Sequence, residues 1–245
     1  MFEAQTLLIA GCLFLGAILY TSVGHAGASA YIAVMTLFDL PPTVIKPTAL
    51  TLNIFVSSYT SLRYIKSKLF NKSLFLYLSL GSVPAAFFGG RINLPSDVYR
   101  PVIGLLLLLS GVRFLVQALQ SDKPHRDVNK ALAIFIGACV GLLSGITGTG
   151  GGIFLSPLII WLGWVGVKQA SGTAAAFIFV NSVAGLLGNI QSTSSLPSEL
   201  PVFVVAVLLG ALVGTRFGIT RLSSIGVKRA LGCVLLIAGV KFLFA

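Results

Sequence analysis

The chain has 245 residues, of which 56% are hydrophobic and only 9% are charged, and its mean hydropathy is +0.98. A soluble domain usually contains about 25% charged residues, so the composition excludes an ordinary soluble protein and indicates an integral membrane protein. The formal charge of +11 does not indicate nucleic-acid binding, because the Lys and Arg residues are concentrated in short connections between hydrophobic runs, where they set membrane topology.

The first half of the chain begins with two short apolar segments, residues 7–20 and 30–38. Residues 7–20 would form only about 21 Å of helix at 1.5 Å per residue, which is less than a bilayer core of about 30 Å. Between the segments lies a run of small and polar residues, 22–29, which we name the first tip. This pattern predicts a re-entrant hairpin or a broken helix. Three longer segments, each suited to a transmembrane helix, follow at residues 47–64, 74–90 and 98–119.

The same order of segments recurs after a polar linker at residues 121–130. Two short apolar segments, residues 131–143 and 153–165, enclose a glycine-rich run. Residues 147–152 of that run form what we name the second tip. Three longer segments again follow, at residues 169–190, 200–217 and 227–244.

Individual residues repeat between the halves as well. Gly104 and Gly111 correspond to Gly232 and Gly239 at a constant offset of 128 residues. A row of small residues, spaced four apart, also recurs, and this spacing favours close helix packing. The two corresponding rows are Gly81, Ala85 and Gly89, and Gly210, Gly214 and Gly218.

Basic residues are distributed oppositely in equivalent connections of the two halves. The connection at residues 189–199 has no Lys or Arg, and the next connection of that half is richer in them than its counterpart. In the first half, the connection equivalent to residues 189–199 carries Arg63, Lys66, Lys68 and Lys72. Opposite biases at equivalent connections predict opposite membrane topology.

These patterns predict an all-α, polytopic membrane protein made of two inverted-topology repeats. Each repeat contains a re-entrant or broken helix hairpin followed by three transmembrane helices. We expect a first membrane repeat at residues 1–120, a cytoplasmic linker at residues 121–130 and a second membrane repeat at residues 131–245. Both termini are then expected on the outer side of the membrane.

In an inverted pair, hairpins that enter from opposite faces bring their tips together near the middle of the bilayer. Irregular backbone at that depth is tolerated only where protein encloses it or where it lines a polar cavity. Half-helices that begin at the tips present unpaired amides and positive dipole ends, and glycines let that backbone approach a ligand closely. The expected ligand is an anion, whereas close packing of helices is the alternative interpretation of the glycines.

His25 in the first tip is a titratable group at the expected membrane depth, which predicts either proton coupling or a direct contact with the anion. The alternative is a neutral histidine that binds a backbone carbonyl. Polar side chains of the following helices either complete the site or bond between helices. The candidate substrate-binding residues are Ser22, Gly24, His25, Gly27, Ser29, Thr48, Thr51, Asn53, Thr147, Gly148, Thr149, Gly150, Gly151, Gly152, Thr173, Asn181 and Ser182.

Lys46 and Lys168 lie at equivalent helix starts. We expect them to anchor the helices at opposite membrane interfaces, or alternatively to guide anions toward the site.

No arrangement of residues typical of an enzyme is visible in the sequence. A membrane hydrolase or a metalloenzyme places carboxylates or histidine clusters at its site, but here every carboxylate is terminal or lies in a connection. We therefore expect no enzymatic activity, no metal and no cofactor. The acidic residues are Glu3, Asp39, Asp97, Asp122, Asp127 and Glu199.

Three stretches of the second half form a recognisable motif: residues 141–145 read GLLSG, residues 148–157 read GTGGGIFLSP and residues 168–173 read KQASGT. At these residues the chain resembles the sulfite exporter TauE/SafE family of membrane permeases, and the resemblance covers both halves. The first tip keeps only Gly24 and Gly27 and has no proline at the place of Pro157.

The resemblance implies a secondary transporter in a prokaryotic plasma membrane for a small sulfur-containing anion such as sulfite, thiosulfate or sulfoacetate. Alternating access around the two tips is the expected mechanism. A channel-like anion pore, or a membrane-embedded scaffold without transport, is the alternative. The direction of transport, the coupling ion and the oligomeric state are left open.

Overall fold

The computed structural model of the protein describes residues 4–92, 94–117 and 126–220, together with single helical positions between 225 and 243. Its regular structure within these residues is helical throughout. The helices are α1 (Ala4–Ser22), α2 (Ala28–Leu37), α3 (Pro42–Lys66), α4 (Lys72–Arg91), α5 (Ser96–Gln117), α6 (Lys130–Thr147), α7 (Gly152–Trp161), α8 (Val167–Gly188), a 3-10 helix (Ile190–Ser195) and α9 (Leu200–Thr220).

The first helix of each half is longer than the sequence predicts. α1 has 19 residues and α6 has 18, so each extends about 27–29 Å and is long and apolar enough to cross a membrane. The prediction of short first segments was wrong because polar residues continue both helices. Thr21 Oγ1 donates to Ala17 O, and Thr147 Oγ1 donates to Leu143 O, which satisfies these hydroxyls inside the helix.

The second helix of each half is a half-span, as the sequence predicts. α2 and α7 each have 10 residues, or about 15 Å. A Cβ added at Gly16 would lie 3.1 Å from Ala30 Cβ, and one added at Gly151 would lie 3.1 Å from Val140 Cγ1. Because the residue after each break contacts a residue well before it, the chain reverses direction at both tips.

Among the residues that the structure describes, five helices are candidate membrane spans by length and composition: α1, α4, α6, α8 and α9. Their outer surfaces carry large exposed apolar side chains such as Leu80, Phe135 and Leu209, which suit contact with lipid tails. α3 is long enough at 25 residues but is more polar, because it buries the carboxamide of Asn53 and the hydroxyl groups of Thr48 and other residues inside the bundle.

Glycines bring two pairs of helices into close parallel contact. A Cβ at Gly137 of α6 would overlap the Leu78 carbonyl of α4, and a Cβ at Gly81 would overlap the Ile134 carbonyl. α9 packs on α1 in the same way, where Gly214 meets the Ile18 carbonyl. The prediction that the small-residue rows serve helix packing is therefore confirmed.

The directions of the helices define two ends of the bundle. α4 and α6 run parallel, whereas α3 and α8 run antiparallel, with Tyr64 beside Gly172 and Leu50 beside Gly185. One end, which we name the basic end, therefore carries the connection from α3 to α4 and the start of α6. Its exposed cations include Arg63, Lys66, Lys68, Lys72 and Lys130. The opposite end holds the start of α3 and the ends of α4, α6 and α8.

Several expectations fall wholly or partly outside the described residues: linker positions 121–125, most of the predicted segment at residues 227–244, and the carboxylates of Glu3 and Asp122.

Candidate functional site

The two tips contact each other through His25. Its Nε2 lies 3.0 Å from the Gly152 carbonyl oxygen of the second tip, and its Nδ1 lies 3.2 Å from the Val23 carbonyl oxygen of the first. The side chain is only 3% exposed. A neutral imidazole has one N–H and donates to one of these carbonyls, whereas an imidazolium donates to both. The contact between the tips thus depends on the protonation state or tautomer of this ring.

The second tip is a turn that requires glycine. Gly148, Gly150 and Gly151 have φ angles of +78°, +75° and +77°, in the left-handed region that side chains with a Cβ rarely adopt. Gly151 is the N-cap of α7, and no side chain caps this helix. In the first tip, Gly27 has the same role for α2, with φ of +110° and no side-chain cap. Each half-helix therefore presents its first backbone amides at a tip.

Polar side chains of α3 and α8 lie against the second tip. A Cβ added at Gly150 would lie 2.7 Å from Asn53 Nδ2 and 3.1 Å from Ser182 Oγ. Asn53 Nδ2 donates to Ser182 Oγ at 3.4 Å, and both residues are fully buried. This arrangement brings the glycine backbone, an amide and a hydroxyl together in the interior of the bundle.

Several buried polar atoms have no hydrogen-bond partner within the described part of the protein. Asn53 Oδ1 and Ser144 Oγ belong to residues beside the second tip, and Thr48 Oγ1 and Asn181 Oδ1 lie elsewhere in α3 and α8. Leaving a buried polar group unsatisfied costs about 1–3 kcal/mol, and such groups in a native protein call for an explanation. A polar ligand is a chemically suitable partner for them.

Other candidate residues bond locally instead of lining this point. Thr51 Oγ1 donates to Pro47 O, and Ser22 Oγ donates to Leu19 O, each within its own helix. Thr147 and Thr149 hydroxyls lie 2.9 Å apart. Thr173 Oγ1 accepts from the Asn71 amide near the basic end, away from the second tip.

The remaining candidates occupy the surroundings of the first tip or of α8. Asn181 Nδ2 donates to Phe177 O of its own helix. A Cβ at Gly24 would overlap Ser171, and one at Gly27 would lie 2.7 Å from the Tyr31 ring. Ser29 is buried in the first turn of α2.

The contacts also identify neighbours of the second tip that the sequence interpretation omitted. Phe177 and Ser144 lie beside Gly151, and Ile178 lies beside Gly150 and Gly152. Ser144 was visible inside the GLLSG motif, one helical turn before the break. Phe177 and Ile178 were indistinguishable from other apolar residues of α8, because only the fold brings them to the tip.

Among the described residues there is no cluster of three or more His, Cys, Asp or Glu side chains that suits a metal ion. The described carboxylates of Asp39, Asp97, Asp127 and Glu199 are exposed or half-buried in connections or at a helix start. The interior of the bundle near the tips therefore contains backbone and side-chain dipoles, the His25 imidazole and, beside Gly148, the buried side chain of Lys46. The described carboxylates lie outside it.

Comparison with known proteins finds similarity along nearly the whole chain. A sequence profile of the family described as Sulfite exporter TauE/SafE matches residues 8–242. The probable membrane transporter protein y4hK of Sinorhizobium fredii is 35% identical over 247 residues, covering 99% of this chain and 100% of that protein. The probable membrane transporter protein YjnA of Bacillus subtilis is 26% identical, covering 94% of this chain and 96% of its own. No solved structure shows significant similarity.

The match to the family extends over both halves and both tips. Together with the five apolar helices of membrane-spanning length and the transporter relatives, it identifies a multi-pass integral membrane protein. The chain belongs to the sulfite exporter TauE/SafE family of membrane transporters.

Proposed function

We propose that the protein is a secondary transporter that carries a small, sulfur-containing anion by alternating access around a site formed by the two tips. The observation that carries this proposal is the meeting of the tips, where His25 contacts Gly152 and the Asn53–Ser182 pair lies against Gly150. Backbone amides, a carboxamide and a hydroxyl are the donors that bind an oxyanion without a fixed countercharge.

The chemistry of the interior favours an anion over a cation. A cation held near the middle of a membrane usually has a carboxylate partner, and the described carboxylates lie in the connections or at a helix start. Uncapped helix starts at both tips supply positive dipole ends instead. The sulfur-containing class of anion is supported by the family description alone.

Paired contacts support two inverted repeats. In the proposed repeat, α1 corresponds to α6 and α4 corresponds to α9. The parallel packing of α4 on α6 is then matched by the parallel packing of α9 on α1. A Cβ at Gly104 would lie 3.0 Å from Gly239 O, and one at Gly111 would lie 3.0 Å from Gly232 O. These four glycines are the ones that repeat in sequence, and the two contacts are the pair that an inverted repeat would relate by a two-fold axis in the membrane plane.

Close packing around the tips supports a carrier over an open pore. Cβ atoms added at Gly150, Gly151 and Gly152 would all meet side chains within 3.0 Å, and His25 is almost completely buried. With the tips packed in this way, we expect transport to require movement of one hairpin relative to the rest of the bundle.

Positive residues support the orientation. The basic end carries the α3–α4 connection and the start of α6, so by the positive-inside rule it faces the cytoplasm. In that orientation the linker is cytoplasmic, and the membrane is the plasma membrane of a prokaryote, as expected from relatives in Sinorhizobium and Bacillus.

A counterflow assay tests the proposed function. Proteoliposomes loaded with sulfite, thiosulfate, sulfoacetate or chloride are assayed for uptake of trace radiolabelled thiosulfate. A carrier of sulfur oxyanions accelerates uptake when the lumen holds a sulfur oxyanion and gives no acceleration with chloride. Flux that is independent of the internal anion would indicate a pore, and the absence of flux with every anion would indicate a scaffold.

His25→Gln is expected to remove any dependence of transport on pH while leaving transport itself measurable. The glutamine amide still donates to the Gly152 carbonyl, but it does not titrate, whereas His25 meets two carbonyls that only its protonated form bonds simultaneously. Counterflow rates measured between pH 5 and 8 cover the range in which an ordinary histidine changes charge. An unchanged pH profile in the variant would end the hypothesis of proton coupling through His25.

A further inference from the structure

A polar pocket of about 440 Å³ lies at the end of the bundle opposite the basic end. It is lined by the start of α3, the end of α6, the connection after α4 and the 3-10 helix that follows α8. Its polar lining includes Thr43, Lys46, Asn189, Gln191, Ser192 and Ser195. Among the described lining residues there is no Asp or Glu, so the one charged side chain there is that of Lys46.

Lys46 is bound in an unusual way for a buried lysine. It is 5% exposed, and its Nζ donates to Gly90 O at 3.1 Å and to Ile92 O at 2.9 Å. Within the described residues it pairs with no carboxylate. An ammonium has three N–H groups, and the two carbonyls at the end of α4 use two of them. A buried charge without an opposite charge is strongly unfavourable, and an anion in the pocket would supply that charge and accept the third hydrogen bond.

The pocket adjoins the second tip. Ile146, two residues before the break, is part of its lining, and a Cβ at Gly148 would lie 3.1 Å from Lys46 Cγ. Lys46 therefore lines the pocket and contacts the second tip through its stem. The equivalent lysine of the second half, Lys168, is exposed at the basic end, so of this pair of lysines only Lys46 is buried.

We propose that this pocket is a second anion-binding site, centred on Lys46, which holds a small oxyanion at the outer end of the transport path before or after it occupies the site between the tips. Hydroxyls and amides of Ser195, Gln191 and Asn189 complete the binding site. This inference rests on the proposed function, because it takes the ligand to be the transported anion.

Protection of an introduced cysteine tests the inference. Ser195→Cys is placed in a chain whose Cys12, Cys139 and Cys233 are replaced by alanine. The rate at which a neutral maleimide modifies the new cysteine is measured at increasing concentrations of thiosulfate. Thiosulfate is expected to slow the modification saturably, and Lys46→Met is expected to raise the half-protecting concentration at least tenfold. Lys168→Met is the matched control, and it should leave that concentration within twofold.

Two further variants separate the pocket from the site between the tips. Gly151→Val, which is designed to block the tip site, should retain full protection of Ser195→Cys. Lys46→Gln keeps a donor toward the Gly90 and Ile92 carbonyls without the charge, so it replaces Lys46→Met if that variant is poorly folded. It should raise the half-protecting concentration as Lys46→Met is expected to do. Protection that is equal with and without Lys46, or absent for thiosulfate, sulfite and sulfate alike, would overturn the inference. Protection without counterflow would instead retain the pocket and reject the proposed function.

Discussion

Gly151→Val is expected to reduce counterflow of the transported anion at least about tenfold while leaving the protein folded. Gly151 has φ of +77°, and a side chain with a Cβ in such a conformation costs about 1–3 kcal/mol. The new Cβ would also lie 3.0 Å from Phe177 Cε1 and 3.1 Å from Val140 Cγ1. The tip must shift to relieve this strain, and its amides then move away from the anion. A loss of about 1.4 kcal/mol in binding free energy lowers the affinity tenfold.

Gly11→Val is the matched control for this variant. Gly11 lies in α1 with nothing within 4 Å of an added Cβ, so the same chemical change there should leave counterflow and thermal stability near the wild-type values. Thermal unfolding of Gly151→Val in detergent checks that the fold is retained. Normal counterflow by a folded Gly151→Val protein would show that the second tip is not the binding site.

Gly137→Val is expected to prevent stable folding. Its Cβ would overlap the backbone carbonyl of Leu78, which has no flexible end that can move away, so α4 and α6 must separate along their whole contact. Overpacking of a core typically costs about 1–3 kcal/mol and more where backbone is involved. The measurement is the yield of monodisperse protein after solubilisation, together with its unfolding temperature.

The same Gly11→Val control applies, since it introduces valine into a helix without a neighbouring backbone. Gly137→Val that purifies in normal yield, with an unfolding temperature equal to that of the control, would contradict the close packing of α4 on α6. Gly137→Val and Gly151→Val thus differ in readout: the former is expected to fail in folding and the latter in transport.

Sequence patterns predicted the breaks in each half because irregular, glycine-rich backbone inside hydrophobic sequence has few physical explanations. The rows of small residues likewise predicted the close helix contacts made by Gly81 and Gly214. The lengths of α1 and α6 were not predictable from hydropathy alone. Thr21 and Thr147 lower the local hydropathy, yet both extend their helices by bonding to carbonyls one turn earlier.

The composition of the candidate site was only partly predictable. The glycines, His25, Asn53 and Ser182 stood out as flexible or polar residues in apolar surroundings, and the fold brings them together. Thr51 and Thr173 had the same appearance in sequence, but they bond elsewhere. Whether a polar side chain faces its own helix, a neighbouring helix or the tip depends on helix rotation and crossing, which one sequence does not specify.

Lys46 and Lys168 also show that residues at equivalent sequence positions can differ in burial. In sequence, both stand directly before an expected transmembrane segment, residues 47–64 and 169–190, so the sequence treats them as equivalent. The end of α4 folds over Lys46 and buries it against two carbonyls, while Lys168 stays exposed. The two ends of the proposed transport path therefore differ in the burial of the equivalent lysine, although the repeats share their sequence pattern.

The most direct test of alternating access around the tips is the accessibility of Ser182→Cys to a membrane-impermeant thiol reagent. Ser182 is fully buried beside Asn53 and Gly150. The variant is placed in a chain whose three native cysteines are replaced, and labelling is measured in vesicles that perform counterflow. Alternating access predicts that the cysteine is labelled from only one face of the membrane at a time, and that the favoured face changes when the anion gradient is reversed. Labelling from both faces at once, or no labelling during active counterflow, would contradict it.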